Sequence, residues 1–538
     1  MNLAGCTSLV EIHESIGLQT GLVLLNLQGC ENLRNLPSSI SNLKSLKTLV
    51  LSKCFSLTKL PKRLENMMAL TELNMENTAI KQLPSSFLLL INLETLSFRR
   101  CECLIESPKF VRTSRLRKLI LEGCIRLVEI NESIGFLKRL FSLNLRSCKK
   151  LRNLPSVISN LESLEFLDLE ECCKVEELPE QLGNMTALAS LNVGRTAIKQ
   201  LPSSFILLKN LKYLTFVGCE YLIKSPEFSE TSRLFQLTFE GCTSLVKIHE
   251  SIGHLKYLYS LGFKGCKKLR SLPISSASNL ESLEHLSLSY CSKLDKLPEQ
   301  WGNMKALLEL TADEIAIEQL PSSLGDLNNL SILTLRGCGG PSSSWISPNS
   351  SNRMSLLSIS KLCSLTELDL SDRNLSEDEL PIEFARLSSL ETLKLSKNNF
   401  RNLPSCISCL PKLEYLYLNE CTSLQSISLP RSRGINLRAD DCTSLERISI
   451  MTNESSGSSD LSILGRGTSY FYFNNCRKLV EIQNLERLRC LPGKVEMGSC
   501  NNLSSEFRKS VLQVLSLLFS LSSLLCSSLS HFLMQTLF

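Results

Sequence analysis

One spacing constrains this chain more than any other: Leu140-x-x-Leu143-x-Leu145-x-x-Cys148-x-x-Leu151-x-x-Leu154-Pro155, followed by Ile158, Leu161 and Leu164. The step of two turns Leu143 and Leu145 to one face of a short strand, and Asn144 and Arg146 to the other. The steps of three that follow fold the chain back. Leu164 closes this unit and opens the next, where Leu167, Leu169, Cys172, Val175, Leu178 and Pro179 recur at the same offsets. A unit this short cannot bury its own leucines, so it must stack on copies of itself.

That stacking decides how a chain of 538 residues, too long for one ordinary core, is organised. The period and the strand-turn-return pattern are those of a leucine-rich repeat. The fold class expected is therefore α/β, a leucine-rich-repeat solenoid: a curved horseshoe with a parallel β-sheet on the concave face and short helical or 3-10 turns on the convex face. Leu-Pro pairs such as Leu36-Pro37, Leu60-Pro61, Leu83-Pro84, Leu201-Pro202 and Leu297-Pro298 remove a backbone donor where the chain leaves the sheet. The outer IxxLxxL segments are too short for a full amphipathic helix, which predicts single turns.

Successive strand leucines fall at Leu25, Leu49, Leu73, Leu96, Leu119 and Leu143, a block of 118 residues, and the next five coils through Leu261 span 118 again. The text repeats as well: GCTSLVEIHESIG begins at Gly5, GCIRLVEINESIG at Gly123 and GCTSLVKIHESIG at Gly241. A five-coil block has been duplicated in tandem. Between the copies the inward residues Leu93, Leu96, Phe98 and Cys101 return as Leu211, Leu214, Phe216 and Cys219. The outward Glu94, Thr95, Ser97, Arg99 and Arg100 become Lys212, Tyr213, Thr215, Val217 and Gly218. Selection for contacts and drift at solvated positions both produce this pattern.

Charge and cysteine usage narrow the function. The net charge of +6 is small for this length, and Lys and Arg alternate with Asp and Glu, so no basic stripe for nucleic acid is present. The first residues, MNLAGCTSLVEIHESIG, lack the basic and apolar regions of a secretory signal. Most of the 23 cysteines follow a strand, among them Cys30, Cys54, Cys101, Cys124, Cys148, Cys172, Cys219, Cys242, Cys266, Cys291, Cys338, Cys421 and Cys442. This reads as a ladder of small buried thiols donating weakly to backbone in a reducing compartment, rather than as bridges. Cys406-x-x-Cys409 has no partner pair and brackets the core residue Ile407.

The array is read over residues 1–450. Between Leu333 and Leu368 the step widens to 35, and GGPSSSWISPNSSN within it predicts an inserted surface loop over 339–364, with Trp345 pinning it. Residues 451–469 read as a Ser/Gly-rich linker, 470–490 as a terminal repeat-like segment, and 491–538 as an irregular tail with an apolar helix over 511–538. That helix is long enough to span a bilayer. Its Gln513, Ser516, Ser520, Ser523, Ser527 and Ser530 fall on one polar stripe, which favours an amphipathic helix over a span.

Phosphate-cradling loops, HExxH, paired Cys-x-x-Cys sets and GxSxG elbows are missing, and no nucleophile, base and orienter can be nominated together around the five histidines. His13 and His249 exchange with Asn131 at one offset of the duplicated block, as a polar turn position does. The chain therefore reads as a non-enzyme, with no cofactor and no metal. It offers instead a strand face carrying Phe141, Phe166, Tyr213, Phe235, Tyr259, Tyr290, Tyr415 and Tyr417 beside Arg99, Arg100, Lys118, Arg146, Asp168, Glu170, Glu171 and Lys264. Aromatic and arginine side chains on a rigid face dominate protein interfaces, so this set is the candidate binding surface for a protein partner.

The units LNLRSCKKLRNLPSVISNLESLEFLDLEECCKVEELPEQLGNM (143–185) resemble the repeat domain of plant intracellular immune receptors of the TIR, nucleotide-binding, leucine-rich-repeat class. So do RGCGGPSSSW at 336, LCSLTELDLSDRNLSEDELP at 362, LSKNNFRNLP at 395, DDCTSLERIS at 440 and YFYFNNCRKL at 470. The resemblance covers roughly residues 1–485, in the tobacco mosaic virus resistance protein N-like group. It implies effector recognition and autoinhibition in the cytoplasm, or in cytoplasm and nucleus. The partners implied are a pathogen effector, a guarded host protein, or the receptor's own TIR and nucleotide-binding domains, neither of which is written in this sequence. The competing readings are a constitutive intracellular scaffold for signalling proteins and a membrane-attached receptor-like protein.

Overall fold

The structure is a computed structural model that describes residues 1–229, 232–273, 280–301, 304–317, 319–338, 356–429, 435–450, 469–483 and 492–507. The chain forms two compact units, Met1–Leu280 and Glu281–Phe538. Each is a run of leucine-rich-repeat solenoid.

In the first unit, eleven three-residue strands run from Leu24–Asn26 to Ser260–Gly262 and pair in parallel, each with its neighbours in sequence. Registers match the sequence period: Leu25 lies opposite Leu49, Leu49 opposite Leu73, and so on to Leu237 opposite Leu261. The middle leucines are buried while the residues on either side point outward. Behind them Phe216, Phe239 and Phe263 form a buried spine, with rings 5.0 and 5.5 Å apart and nearly parallel.

Seven return segments of the first unit are five-residue 3-10 turns among the described residues, and two sequence devices start them. Pro37, Pro84, Pro155 and Pro202 sit in extended conformation just before Ser38–Asn42, Ser85–Leu89, Ser156–Asn160 and Ser203–Leu207. A missing N–H costs nothing there. In the other class, His13, Asn131 and His249 accept the N–H of Ser15, Ser133 and Ser251 on their side chains, which explains why Asn replaces His in the middle copy.

Leaving each strand, the chain passes through a left-handed residue: Asn77, Arg100, Ser147, Glu171 and Arg195 in some coils, Gly123, Gly218 and Gly241 in others. This corrects the placement of three candidates. Arg100 (φ 56°), Glu171 (φ 63°) and Tyr290 (φ 64°) are turn residues at the position Gly218 fills, and not strand residues. Glycine is favoured at such a site because it has no Cβ to clash with the following carbonyl.

The cysteine position comes next. The ladder thiols are buried and donate to carbonyls of the preceding coil, as Cys54 does to Leu27 (3.2 Å), Cys124 to Phe98 (3.2 Å), Cys148 to Leu121 (3.1 Å) and Cys219 to Val193 (3.0 Å). All the described cysteines are free thiols. Burial pushes the Cys54 thiol up to about 12. Where the series lacks cysteine, Thr78 and Thr196 donate to Met75 and Val193.

The second unit continues the pattern from His285–Ser287 through Glu309–Thr311, Ile332–Thr334, Glu367–Asp369, Thr392–Lys394, Tyr415–Tyr417, Asn436–Arg438 and Ser469–Tyr472 to Pro492–Glu496, all parallel. Ile332–Thr334 pairs directly with Glu367–Asp369, so the extra residues between them are an insertion within one coil. The assigned loop is shorter than 339–364. Residues 356–359 form a helical turn burying Leu356 and Ile359, which is ordinary return segment. Residues 339–355, Trp345 included, lie outside the described residues, as do most of the 451–469 linker and the 511–538 helix.

Two further departures concern the C-terminal end. Ser426–Leu429, Arg447–Ile450 and Glu481–Gln483 form a second parallel sheet on the return side, where 3-10 turns were expected. Alternating isoleucine and polar residues in SISL, RISI and EIQ have the period of a strand. The array also runs past 491. Pro492–Glu496 pairs with Ser469–Tyr472, and Cys500 donates to Phe473 at 2.9 Å, so residues 492–507 build another coil rather than an irregular tail.

Candidate protein-binding face

Outward residues of these strands are spaced by the sheet itself, about 4.8 Å from one coil to the next. Phe166, Tyr213, Lys118 and Tyr415 are first residues of their strands, and Tyr417 and Asp168 are last residues. Phe141, Phe235 and Tyr259 stand one residue before a strand, and Arg99, Arg146, Glu170 and Lys264 two residues after one. Phe141, Phe166, Tyr213, Phe235 and Tyr415 are each between 37% and 42% exposed, unusual for large aromatics with a core nearby.

In the first unit the aromatics fall into two groups. Phe141 and Phe166 meet edge to face at 5.0 Å. Tyr213, Phe235 and Tyr259 form a run across three coils, with Tyr213 edge-on to Phe235 at 6.1 Å and Phe235 stacked on Tyr259 at 4.8 Å. Such contacts add about 0.5–1.5 kcal/mol each beyond burial and hold the rings in place before any partner arrives.

Four of the charged candidates, Arg99, Arg146, Glu170 and Glu171, are in ion pairs. Arg99 pairs with Glu122 at 2.9 Å and Arg146 with Glu170 at 3.0 Å, while Asn144 and Asn192 donate to the same two glutamates. Arg195 pairs with Glu171, whose carboxyl is held below its ordinary range, first by a hydrogen bond from Ser147 and also by Arg146 and Arg195. Asp168 has a structural task that sequence reasoning missed. Its carboxylate accepts the N–H of Glu170 at 2.9 Å, as Asn26, Asn74, Asn144 and Asn192 accept the N–H two residues on. The recurrence of Asn or Asp at this offset was the available signal. Burial, and secondarily Glu170, push the Asp168 carboxyl above the usual range.

In the second unit Tyr415 and Tyr417 have neighbours the sequence reading left out. Asn436 and Tyr470 line up with Tyr415, and Arg438 and Tyr472 with Tyr417. The Arg438 guanidinium lies 4.4 Å from the centre of the Tyr472 ring. The YFYF alternation at 470–473 carried this information, but residues 451–468 separate it from Arg438 in sequence.

Three stretches match family descriptions: a leucine-rich repeat region over 143–263, and leucine-rich repeats over 282–304 and 363–424. TMV resistance protein N of Nicotiana glutinosa is 34% identical over 232 residues, covering 43% of this chain and 19% of that protein. The chain carries leucine-rich repeats and is similar to plant disease-resistance proteins. Disease resistance-like protein DSC1 of Arabidopsis thaliana is 34% identical over 230 residues (43% of this chain, 18% of that protein), and Disease resistance protein RPS6 of the same plant 31% over 305 (56% and 25%). This leucine-rich-repeat region thus spans about a fifth to a quarter of the length of these relatives. Among solved structures, a Leptospira interrogans LRR protein aligns over 93% of this chain and 96% of its own, at 20% identity and a TM-score of 0.46.

No helix among the described residues is long and apolar enough to cross a membrane.

Proposed function

We propose that this chain is the protein-binding recognition module of a plant intracellular immune receptor, working in the cytoplasm. Its outward face contacts either a pathogen effector or the TIR and nucleotide-binding domains that the module restrains before infection. The observation that carries this reading is the run Tyr213–Phe235–Tyr259, half-exposed aromatics braced against one another on a rigid sheet. Relatives named for disease resistance support the biological setting.

The test is the triple change Tyr213→Ala, Tyr259→Ala and Tyr415→Ala, assayed for association with the nucleotide-binding segment of a related receptor and with candidate effectors. The expected result is a far-ultraviolet spectrum and melting curve close to the parent, with association reduced at least tenfold. Association unchanged in the triple variant refutes the face as the contact surface.

A further inference from the structure

Three neighbouring strands of the first unit, Phe166–Asp168, Ser190–Asn192 and Tyr213–Thr215, differ sharply in the size of what they present. Along its strand the middle coil offers only Ala189, Ser190, Asn192 and Gly194, and Arg195 at the turn beyond is paired with Glu171. Phe166 lies opposite Ser190 and Ser190 opposite Tyr213, so the two aromatic residues stand roughly 10 Å apart with one hydroxymethyl group between them. Each ring contacts an aromatic on its far side, Phe166 on Phe141 and Tyr213 on Phe235. The result is a trough one coil wide, with a polar floor and aromatic walls supported from behind.

The Phe166 wall is also acidic. Its coil carries Glu165, Asp168, Glu170 and Glu171. Glu170 and Glu171 are matched by Arg146 and Arg195, but no cationic group lies within 4.0 Å of Glu165 or Asp168 among the described residues. The duplicated block supplies a comparison on the same scaffold. In the earlier copy, 118 residues before, Glu165, Phe166, Asp168, Glu170 and Glu171 are Lys47, Thr48, Val50, Ser52 and Lys53. Ser190 and Gly194 are there Glu72 and Glu76, and Tyr213 is Thr95. Wall and floor differ together between the copies: the wall here has four acids and an aromatic that the earlier copy lacks, and the floor lacks that copy's two acids and has Arg195 for Asn77 at its turn.

The geometry points to this trough as the seat of one arginine or lysine side chain presented by a partner protein. The stem and planar head lie between Phe166 and Tyr213, and the charge faces Asp168 and Glu165. A guanidinium between ring faces gains attraction from both quadrupoles while its edge still donates to a carboxylate. Asp168 is half-buried and already uses one oxygen on Glu170, which leaves its second oxygen as the acceptor. This inference rests on the protein-binding reading above and names what the bound surface carries.

The test uses the full chain with 3-fluorotyrosine at its nine tyrosines, the Tyr213 fluorine resonance being assigned through Tyr213→Phe. Acetyl-arginine amide is expected to move that resonance saturably, and acetyl-citrulline amide, its neutral counterpart, to bind at least tenfold more weakly. Asp168→Asn, which retains the cap to Glu170, is expected to weaken arginine binding several-fold. Ser190→Tyr fills the trough with a residue of the size tolerated at Phe166 one coil away, and is expected to abolish the response. Equal responses to arginine and citrulline, or a response surviving in Ser190→Tyr, overturn the proposal. A Gly/Ser heptapeptide with one central arginine distinguishes a protein side chain from a small guanidinium compound, and failure of the peptide where the free amide binds overturns the docking role. A silent arginine titration, alongside loss of partner binding in the triple tyrosine variant, overturns the basic side chain alone and leaves the protein-binding face standing.

Discussion

Replacing Asn398 by alanine tests how this array satisfies its buried backbone. The side chain is 1% exposed and makes four hydrogen bonds. Its nitrogen donates to the carbonyls of Leu370 (3.0 Å) and Leu395 (2.8 Å), and its oxygen accepts the N–H groups of Arg373 (3.2 Å) and Leu375 (3.0 Å). Alanine leaves both N–H groups buried without an acceptor, at about 1–3 kcal/mol each. The carbonyl of Leu395 still receives the Cys421 thiol. The sum is about 3–9 kcal/mol once the Leu370 carbonyl is included at the same cost. Cys148→Ala is the matched control. It removes one weak donor from a Leu121 carbonyl that keeps the N–H of Cys124, and leaves a small cavity, for about 1–1.5 kcal/mol. Asn398→Cys restores a donor but no acceptor, so it recovers about 1 kcal/mol at most. Because stacked coils need not unfold together, the assay is native-state hydrogen exchange at the Arg373 and Leu375 amides, with urea denaturation as a global check. If Asn398→Ala costs no more than Cys148→Ala, or those two amides keep their protection, the reasoning is wrong.

Two other predictions follow from the same geometry. Iodoacetamide near neutral pH should modify the exposed Cys6, Cys173, Cys363 and Cys409 rapidly and leave ladder thiols such as Cys54 and Cys148 unmodified until the chain is denatured, as read by peptide mass mapping; ladder labelling at the rate of Cys173 contradicts it. Asp168→Asn should raise stability at neutral pH by up to about 1 kcal/mol, a gain limited by solvent screening of a half-exposed site. Folding raises the Asp168 carboxyl above its ordinary value, so this residue favours the folded state below that value and loses the contribution as pH rises through the raised one. The advantage of the variant in thermal melts should therefore shrink as pH falls through that range; a difference independent of pH shows that the charge is not responsible.

Much of the fold was legible because the inward residues obey two simple periods. Leu143, Leu145, Cys148 and Leu151 name their positions without reference to anything distant, and the histidine-to-asparagine exchange at 13, 131 and 249 pointed to the cap that the structure shows. Turn placement was harder, since Tyr290 and Arg100 sit at a left-handed position where side chains of every kind occur in this chain, Lys53 and Glu171 among them. The coil ending at Cys500 was missed because Val495 and Met497 replace the expected leucines. At the face, sequence gave the residue types but not their commitments. Nothing in the text says that Glu170 is satisfied by Arg146 and Asn192 while Asp168, two residues earlier, has no cation within 4.0 Å among the described residues.

The block of 118 residues has a consequence for how such a chain changes over generations. The junction between its copies, where Leu119 faces Leu143 and Leu237 faces Leu261, uses the same leucine-to-leucine register as every junction inside a copy. Unequal crossing-over at this boundary would insert or remove a five-coil cassette and create only seams that the molecule already contains. New lateral combinations of side chains could then arise in one recombination event, with no intermediate that must fold around a foreign joint.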